Sequence, residues 1–276
     1  MAVPERVVTN ADLEQILDTS DEWIVSRTGI HERRIAGPNE HTSDLAARAC
    51  QQALDDASVA PEEVDLVLCA TTSGDYLWPA TACLVQDRIG AKGAQALDIS
   101  AACAGFVYGL QLAGALVQTR AVRYALVVGA DTLSRHVDWT DRSTCVLFGD
   151  GAGAVVLGPV DDGEGLLGSA MGADGSRFGS LLVPAGGTRT PLTPELLEQR
   201  KDKLIMHGHE VFKFAVRIMG EVSVAALARA GLTEDDVDLF IPHQANIRII
   251  RAAAERMRLS DEKVFTNVDR YGNTSS

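Results

Sequence analysis

The sequence predicts a layered α/β/α/β/α fold built from two duplicated halves. Two observations predict it: short apolar strands alternate with helical stretches, and one pattern occurs twice. Val64-Asp65-Leu66 and Val237-Asp238-Leu239 each follow a helical stretch and an acidic turn, and each opens an apolar strand. Alternating strands and helices are typical of parallel sheets covered on both faces. We expect a first half over residues 1–165 and a second half over residues 166–276.

The order of elements is predicted from apolar periodicity, taking the chain from its start. The first half is predicted to contain a helix at 44–56, strands near 64–70 and at 94–99, a helix at 106–117 and a strand at 124–130. A glycine turn at 149–151 predicts a tight hairpin between 144–148 and 152–157. The second half is predicted to contain helices at 222–230 and 247–257 and strands near 238–241 and at 263–268. The clearest loop, 184–194, lies between the halves.

Composition excludes several classes of protein. A net charge of −13 with no dominant basic face argues against nucleic acid as a partner. The apolar runs are short and interrupted, so no membrane span is predicted, and the first residues do not form a signal peptide. Five sparse cysteines lack metal-ligand spacing and indicate a reducing cytoplasm rather than a disulfide framework. We therefore expect a cytoplasmic protein with no metal site.

One cysteine stands among small residues where a predicted strand gives way to a helix. Cys103 follows Asp98-Ile99-Ser100-Ala101-Ala102 and precedes Ala104-Gly105. At the first turn of a buried helix, backbone N–H groups and the helix dipole would stabilise its thiolate. The small neighbours leave room for a substrate chain, so the pattern predicts an acyl-carrying nucleophile. The alternative is a small, inert buried thiol, which we expect of the other four cysteines.

Two further polar segments follow strands of the second half. His243 lies at the end of a predicted strand, where ligands gather in open α/β sheets. The repeat places Asn273 at the junction equivalent to that of Cys103. A structural histidine and an ordinary turn are the respective alternatives. Because equivalent junctions of a duplicated body can converge, we expect Cys103, His243 and Asn273 to share one cleft.

Six motifs occur along the chain in a specific order: PERVVTN at 4–10, DTSDEWIVSRTGI at 18–30, AACAGF at 101–106, FGDGAG at 148–153, PHQAN at 242–246 and GNTS at 272–275. With these motifs the chain resembles the β-ketoacyl-acyl carrier protein synthase III family, condensing enzymes that begin bacterial fatty-acid synthesis. The resemblance implies a thiolase-like five-layered α/β/α/β/α fold built from two duplicated halves.

The resemblance also implies a ping-pong reaction. Cys103 would accept an acyl group from acyl-CoA. His243 and Asn273 would then donate N–H groups to the enolate oxygen as malonyl-acyl carrier protein loses carbon dioxide. Attack of the carbanion on the thioester would give 3-oxoacyl-acyl carrier protein, with CoA and carbon dioxide released. The substrates are a CoA thioester and a phosphopantetheine-bound malonyl group, and no further cofactor or metal is implied.

Other positions match the CoA tunnel of the family. The resemblance implies an adenine ring stacked between Trp23 and Arg142, and the remaining implied contacts are Arg27 and Thr28 at the nucleotide and Asn246, His209 and Phe212 along the pantetheine. For Trp23 the alternative is a helix anchor packed on the core.

Basic residues on two helical faces match the docking site for an acidic carrier protein. Lys213 and Arg217 are four residues apart, and Arg248 and Arg251 are three apart. The alternative is scattered solvated charge. Trp78 occupies a position that closes the acyl pocket across the interface of a homodimer, and its large ring implies a short primer such as acetyl.

The chain departs from the family pattern at both ends. We expect it to lack the first strand and a C-terminal segment with a glycine-rich loop, and His209 stands where asparagine is common. Alternatives within the class are a polyketide starter synthase or a related acyltransferase. From other classes, a Cys-His-Asn protease has the same residue order but lacks its local signature. An acyl-CoA-binding fragment without catalysis is the remaining alternative.

Overall fold

The computed structural model describes residues 1–161 and 163–276. The strands are β1 (Val7–Thr9), β2 (Glu32–Arg34), β3 (Leu66–Ala70), β4 (Gln95–Ile99), β5 (Ala125–Thr132), β6 (Asp150–Leu157), β7 (Leu181–Leu182) and β8 (Ile205–Met206). The α-helices are α1 (Asn10–Glu14), α2 (Asp21–Thr28), α3 (Thr42–Ala57), α4 (Thr81–Ile89), α5 (Gly105–Gln118), α6 (Pro194–Glu198), α7 (Gly208–Ala230), α8 (Ile247–Arg256) and α9 (Val268–Tyr271).

A four-stranded sheet with the order β4-β3-β5-β6 forms the centre of the first half. Strand β3 pairs in parallel with both β4 and β5, and β6 joins β5 antiparallel over eight residues. Every residue of β3 and β5 is buried, as expected for strands covered on both faces. The carboxyl ends of β3, β4 and β5 therefore meet at one edge of the sheet.

Helices cover both faces of this sheet. On one face α3 and α4 pack through buried side chains such as Leu45, Ala49 and Val85. On the other face α5 lies against β3 and β5, where Gly109 approaches Val127 so closely that a Cβ would meet its side chain at 2.8 Å. Apart from the predicted hairpin strand at 144–148, the strands and helices predicted for this half are thus confirmed, with ends shifted by a few residues.

Helix α5 is less buried than the sequence predicts. Its small residues Gly105, Gly109 and Ala113 face the sheet and are fully covered. The opposite face exposes Val107 and Leu112, at 52% and 47% of their surface. Composition alone does not separate these faces, because α5 is apolar on nearly all sides.

The predicted hairpin at 149–151 is wrong. Residues 142–147 form turns in which the Asp141 carbonyl accepts from the N–H groups of Thr144 and Cys145. Strand β6 pairs with β5 instead, and Phe148 forms a parallel bridge to Asn273. The turn-forming Asp141 side chain also accepts from Ser143 and Thr144, which favours a turn over a strand.

The described second half is mainly helical. Helix α7 begins earlier than predicted, at Gly208, and packs against α8. The predicted second-half strands are reduced to one parallel bridge between Phe240 and Val264. A 3-10 turn at Asp261–Lys263 and helix α9 occupy the flanks of the 263–268 segment. The division of the chain at residue 165 stays a prediction.

Within the part of the chain that the structure describes, no helix combines the length and apolar character needed to cross a bilayer.

A buried carboxylate ties the first strands to the sheet. Asp150 is fully buried and accepts from Ala36 N at 2.7 Å, Ser134 N at 2.9 Å and Ser134 Oγ at 2.6 Å. Burial raises the pKa of Asp150, while these hydrogen bonds oppose the increase. Both carboxylate oxygens accept hydrogen bonds, so an N–H group in place of either oxygen would face a donor.

We expect Asp150→Asn to destabilise the fold by roughly 1–3 kcal/mol, because an amide NH₂ group must face a buried N–H donor. Urea unfolding measures the change. Asp56→Asn is the control, since Asp56 is exposed at the end of α3 and should change stability by less than about 0.5 kcal/mol. Equal midpoints for the two variants would contradict this account.

Candidate active site

Cys103 lies at the expected junction between β4 and α5. After β4, the chain forms a 3-10 turn over Ala102–Ala104, and α5 begins at Gly105. Ala102 has a φ of 45°, a left-handed conformation that residues with a side chain rarely adopt. Gly105 is required by close packing, since a Cβ there would lie 2.9 Å from Ala70 Cβ. The turn holds Cys103 at the carboxyl edge of the sheet.

The environment of the Cys103 thiol differs from the sequence prediction. Part of the residue remains accessible, yet burial raises the pKa of the thiol to about 11, and the Asp131 carboxylate adds to the increase. A hydrogen bond with the Ser275 side chain and the backbone N–H of Cys103 oppose it. Desolvation and a like charge therefore outweigh the stabilisation expected from the helix start. The resting group is a thiol rather than a thiolate.

Asn273 is held by backbone bonds on both sides. Its N–H donates to Leu147 O at 2.8 Å, and its carbonyl accepts from Gly149 N at 3.0 Å. The side-chain Oδ1 accepts from Ser275 N at 2.9 Å. This bond assigns the oxygen of the amide and leaves its NH₂ end as the donor. Because Ser276 Oγ donates to Ala102 O at 2.9 Å, the structure brings the segment of Asn273 and the turn of Cys103 to one junction.

His243 follows the Phe240–Val264 bridge. Its Nε2 atom is buried and has no hydrogen-bond partner in the described chain. Burial lowers the pKa of His243 to about 4, so the imidazole is neutral at physiological pH. Among the described residues, the ring makes no hydrogen bond to Cys103 or Asn273.

Gln244 connects the His243 segment to the Asn273 segment. Its Oε1 accepts from Asn267 N at 2.9 Å and Val268 N at 3.2 Å, at the start of α9. Its Nε2 donates to Phe265 O at 3.2 Å. Helix α9 ends just before Gly272, so these bonds fix the approach to Asn273. The segments of His243 and Asn273 are thereby held beside each other.

Trp23 lies on α2 beside two arginines: Arg27, four residues further along the same helix, and Arg142, which is distant in sequence. The guanidinium carbons of Arg27 and Arg142 lie 4.8 Å and 5.1 Å from the ring centroid. Arg142 also donates to the Asp18 carbonyl. The ring is half-buried and packs on the core as well. The packing of the ring on the core agrees with the helix anchor given as the alternative. Arg142 lies against the Trp23 ring itself, and the stacking of an adenine between the two stays a prediction.

Two residues that were predicted to contact CoA instead make hydrogen bonds within the fold. Thr28 is 3% exposed, and its hydroxyl donates to Ile24 O and accepts from Ile30 N. Asn246 caps α8 by accepting from Arg248 N at 2.8 Å, and its amide donates to Arg27 O at 2.9 Å. The sequence does not reveal these bonds because they depend on helix ends. Thr28 has no free surface for a nucleotide, and Asn246 joins α8 to α2.

The predicted docking residues lie on α7 and α8. Lys213, Arg248 and Arg251 are exposed, as is His209 at the start of α7. The Arg248 guanidinium lies 5.1 Å from the centroid of the Phe212 ring, which links the two helices. Arg217 instead pairs with Glu221 at 2.9 Å. The three predicted residues thus present positive charge on adjoining helices.

Trp78 points to solvent, with 81% of its surface exposed. Leu77 and Tyr76 beside it are exposed at 88% and 65%. Within one chain, Trp78 therefore closes no pocket. Its predicted role requires a second chain.

Two residues at the site were missed by sequence reasoning, Asp131 and Ser275. Asp131 ends the apolar run of β5, and a lone acidic residue at the carboxyl end of a parallel strand is a usable signal. Ser275 carries no such signal, since its contact with Cys103 depends on the fold. Among residues 1–161 and 163–276, no group of three or more His, Cys, Asp or Glu side chains is placed to hold a metal ion.

Two family models match this chain. The model described as 3-oxoacyl-acyl-carrier-protein (ACP) synthase III covers residues 97–175, and the model of its C-terminal part covers residues 227–276. Both matches fall on the segments that carry the site. Cys103 lies in the first, and His243 and Asn273 lie in the second.

Longer comparisons agree. The β-ketoacyl-acyl-carrier-protein synthase III of Symbiobacterium thermophilum is 55% identical over 276 residues, which are 100% of this chain and 84% of that protein. The crystal structure of the synthase III from Aquifex aeolicus superposes with a TM-score of 0.90 at 47% identity, covering 99% of this chain and 83% of that one.

The priming β-ketosynthase of the R1128 polyketide pathway is more distant, with 36% identity and a TM-score of 0.89, covering 99% of this chain and 81% of that one. These superpositions confirm the expected thiolase-like, five-layered α/β/α/β/α fold. High identity along nearly the whole sequence assigns the family as well as the fold. This chain belongs to the 3-oxoacyl-acyl-carrier-protein synthase III family.

Proposed function

We propose that this enzyme condenses an acetyl or other short acyl group from acyl-CoA with malonyl-acyl carrier protein and so initiates fatty-acid synthesis. The observation that supports the proposal is the junction at which Ser276 Oγ donates to Ala102 O at 2.9 Å, next to Cys103, while Ser275 N donates to the Asn273 side chain. The turn that carries the nucleophile and the segment that carries the N–H donor therefore lie against each other. Membership of the synthase III family supplies the substrate classes.

The first half-reaction is acyl transfer to Cys103. The sulfur attacks the thioester carbonyl of acyl-CoA, CoA leaves as a thiol, and the proton lost by Cys103 ends on CoA. Because burial raises the pKa of Cys103 to about 11, the thiol form predominates at neutral pH. Attack therefore requires proton loss in the same step, once acyl-CoA has displaced water from the sulfur.

The second half-reaction is decarboxylation and condensation. The Asn273 NH₂ group and a neutral His243 N–H donate to the thioester oxygen of the malonyl group as carbon dioxide leaves. Donors aimed at a developing oxyanion each contribute about 3–4 kcal/mol. The lowered pKa of His243, about 4, keeps the ring neutral. The carbanion then attacks the acyl-Cys103 carbonyl and releases 3-oxoacyl-acyl carrier protein.

Trp23, Arg27 and Arg142 form the proposed nucleotide end of the CoA site. Two guanidinium groups within about 5 Å of one indole suit an adenine ring and its phosphates. His209 and Phe212 at the start of α7 are retained as pantetheine contacts. Thr28 is left out because it is buried, and Asn246 acts by positioning α8 against α2.

An acidic acyl carrier protein would dock on Lys213, Arg248 and Arg251, whose positive charges are exposed on an acidic protein.

A homodimer is supported by β4, which has a strand neighbour on only one side in the described sheet. The exposed side chains of Leu77 and Trp78 adjoin that edge, because Asp98 of β4 bonds the start of α4. Trp78 would then limit the size of the acyl pocket of the partner.

We also infer a cytoplasmic location. It is supported by the five cysteines, none of which is disulfide-bonded in the described chain.

Incubation with radiolabelled acetyl-CoA should place the label on Cys103, and Cys103→Ser should abolish it. The label should leave the protein when malonyl-acyl carrier protein is added. Peptide mapping measures the position of the label. Cys83→Ser is the control, because Cys83 is half-buried on α4 and should not affect labelling. Label on any other residue would refute the assignment of the nucleophile.

Asn273→Ala should keep acylation of Cys103 and lower decarboxylation of malonyl-acyl carrier protein by roughly 10²–10³-fold, because one oxyanion donor is lost. The two half-reactions are measured separately, as label uptake and as carbon dioxide release. Asn267→Ala is a matched control in the same segment. Equal loss of both half-reactions in Asn273→Ala would contradict this division of roles.

The neutral state of His243 predicts a pH dependence of stability. With a folded pKa of about 4 and an unfolded value of about 6.5, the unfolded chain binds the extra proton between these values. Stability from this group is therefore complete above pH 6.5 and is lost as pH falls toward 4. Between pH 7 and pH 4.5 the unaltered protein should lose roughly 2–3 kcal/mol more than His243→Asn. Parallel urea midpoints for the two proteins would show that the ring is not buried as described.

A further inference from the structure

Asp131 is a buried carboxylate at the end of β5 with no assigned role in the reaction. It is fully buried, and its Oδ1 receives five donors from the turn that follows β3. These are Thr71 Oγ1 at 3.2 Å, Thr72 N at 2.9 Å, Thr72 Oγ1 at 3.2 Å, Ser73 N at 3.1 Å and Ser73 Oγ at 2.7 Å. These five hydrogen bonds hold the 71–73 turn against the end of β5.

The other oxygen faces the nucleophile junction. Asp131 Oδ2 accepts from Ser276 N at 3.4 Å, and Ser276 Oγ donates to Ala102 O at 2.9 Å. The residue after Ala102 is Cys103. Asp131 is therefore connected to both ends of the site, through the segment that carries Asn273 and through the turn that carries the sulfur.

The negative charge of Asp131 is not paired. It forms no ion pair within the described chain. The Asp131 charge raises the pKa of the Cys69 and Cys103 thiols and of the His136 ring. Cys69 is fully buried in β3, so Cys103 is the thiol on which the charge can affect chemistry. A like charge nearby disfavours a thiolate, which is the reactive form of cysteine.

We propose that Asp131 is a positioning residue of the active site, which holds the 71–73 turn and the 275–276 segment against the nucleophile turn and sets a fixed negative charge beside Cys103. The charge opposes the free thiolate but not the neutral acyl-thioester. It would thus protect the resting enzyme from alkylation and oxidation without weakening the acylated state. The catalytic meaning rests on the proposed function, because it assumes that Cys103 carries the acyl group.

Asp131→Asn removes the charge, and the amide oxygen can still accept from the 71–73 turn. The amide NH₂ group then replaces Oδ2, whose hydrogen bond from Ser276 N is long at 3.4 Å. We expect the midpoint for ionisation of Cys103 to fall by about one pH unit. Below the midpoint the thiolate fraction then rises about tenfold, while each thiolate becomes about threefold less nucleophilic. Alkylation of Cys103 by iodoacetamide at pH 7–9 should therefore be about threefold faster. Peptide mass spectrometry follows Cys103, with Cys83 as the internal reference.

Ser73→Ala is the matched control. It removes one hydrogen bond to Asp131 but keeps the charge, so alkylation of Cys103 should keep its pH profile. An unchanged profile in Asp131→Asn, or an equal acceleration in Ser73→Ala, would overturn the proposal. If Asp131→Asn does not fold, the unaltered protein still tests the proposal: a Cys103 midpoint at or below the ordinary value of about 8.5 overturns it.

The alkylation rate measures the reactivity of the Cys103 thiol directly and does not require condensation. Failure of acetyl-CoA to label Cys103 would refute the proposed function and leave the alkylation result valid. An unchanged profile together with labelled Cys103 would refute the role of Asp131 alone. The two proposals therefore fail in distinguishable ways.

Discussion

The active site depends on a backbone exchange between two distant parts of the chain. Asn273 donates to Leu147 O and accepts from Gly149 N, so the last segment runs parallel to the residues before β6. Gly149 permits this approach, because a Cβ there would lie 2.2 Å from Tyr271 O. Without that contact, the Asn273 amide and the Ser275 hydroxyl would have no fixed relation to Cys103.

Buried groups around this contact set the ionisation of the site. The helix start at α5 favours a thiolate, but desolvation and the charge of Asp131 act in the opposite direction and prevail. Desolvation also holds His243 neutral. In the proposed two-step reaction, the thiol loses its proton as it attacks, and the neutral imidazole offers one N–H donor to the second substrate. Low exposure to water thus sets the protonation state of both groups.

The fold leaves the choice of primer to a few side chains. A synthase III and a polyketide priming ketosynthase superpose on this chain almost equally well, with TM-scores of 0.90 and 0.89. The backbone therefore does not distinguish them. Exposed Trp78 lies outside any pocket of one chain, so selection of the acyl group in the proposed dimer would depend on how a partner seats that ring.

The sequence by itself determined the first-half strands and helices and the place of Cys103 between β4 and α5. Apolar periodicity and a run of small residues are local signals, and local signals suffice for such elements. The sequence also placed Asn273 at the equivalent junction through the internal repeat. Its motifs carried the family resemblance that the comparisons support.

Only the tertiary structure decided the features that depend on long-range contacts. The predicted hairpin gave way to pairing of β6 with β5 and of Phe148 with Asn273. Asn246 bonds Arg27 O, joining the ends of two helices that are distant in the sequence. Burial raises the pKa of the Cys103 thiol, and Asp131, which lies 28 positions along the chain, adds to the increase. Burial of a group and the charges around it depend on residues that are neighbours in space, so the order of residues alone does not determine them.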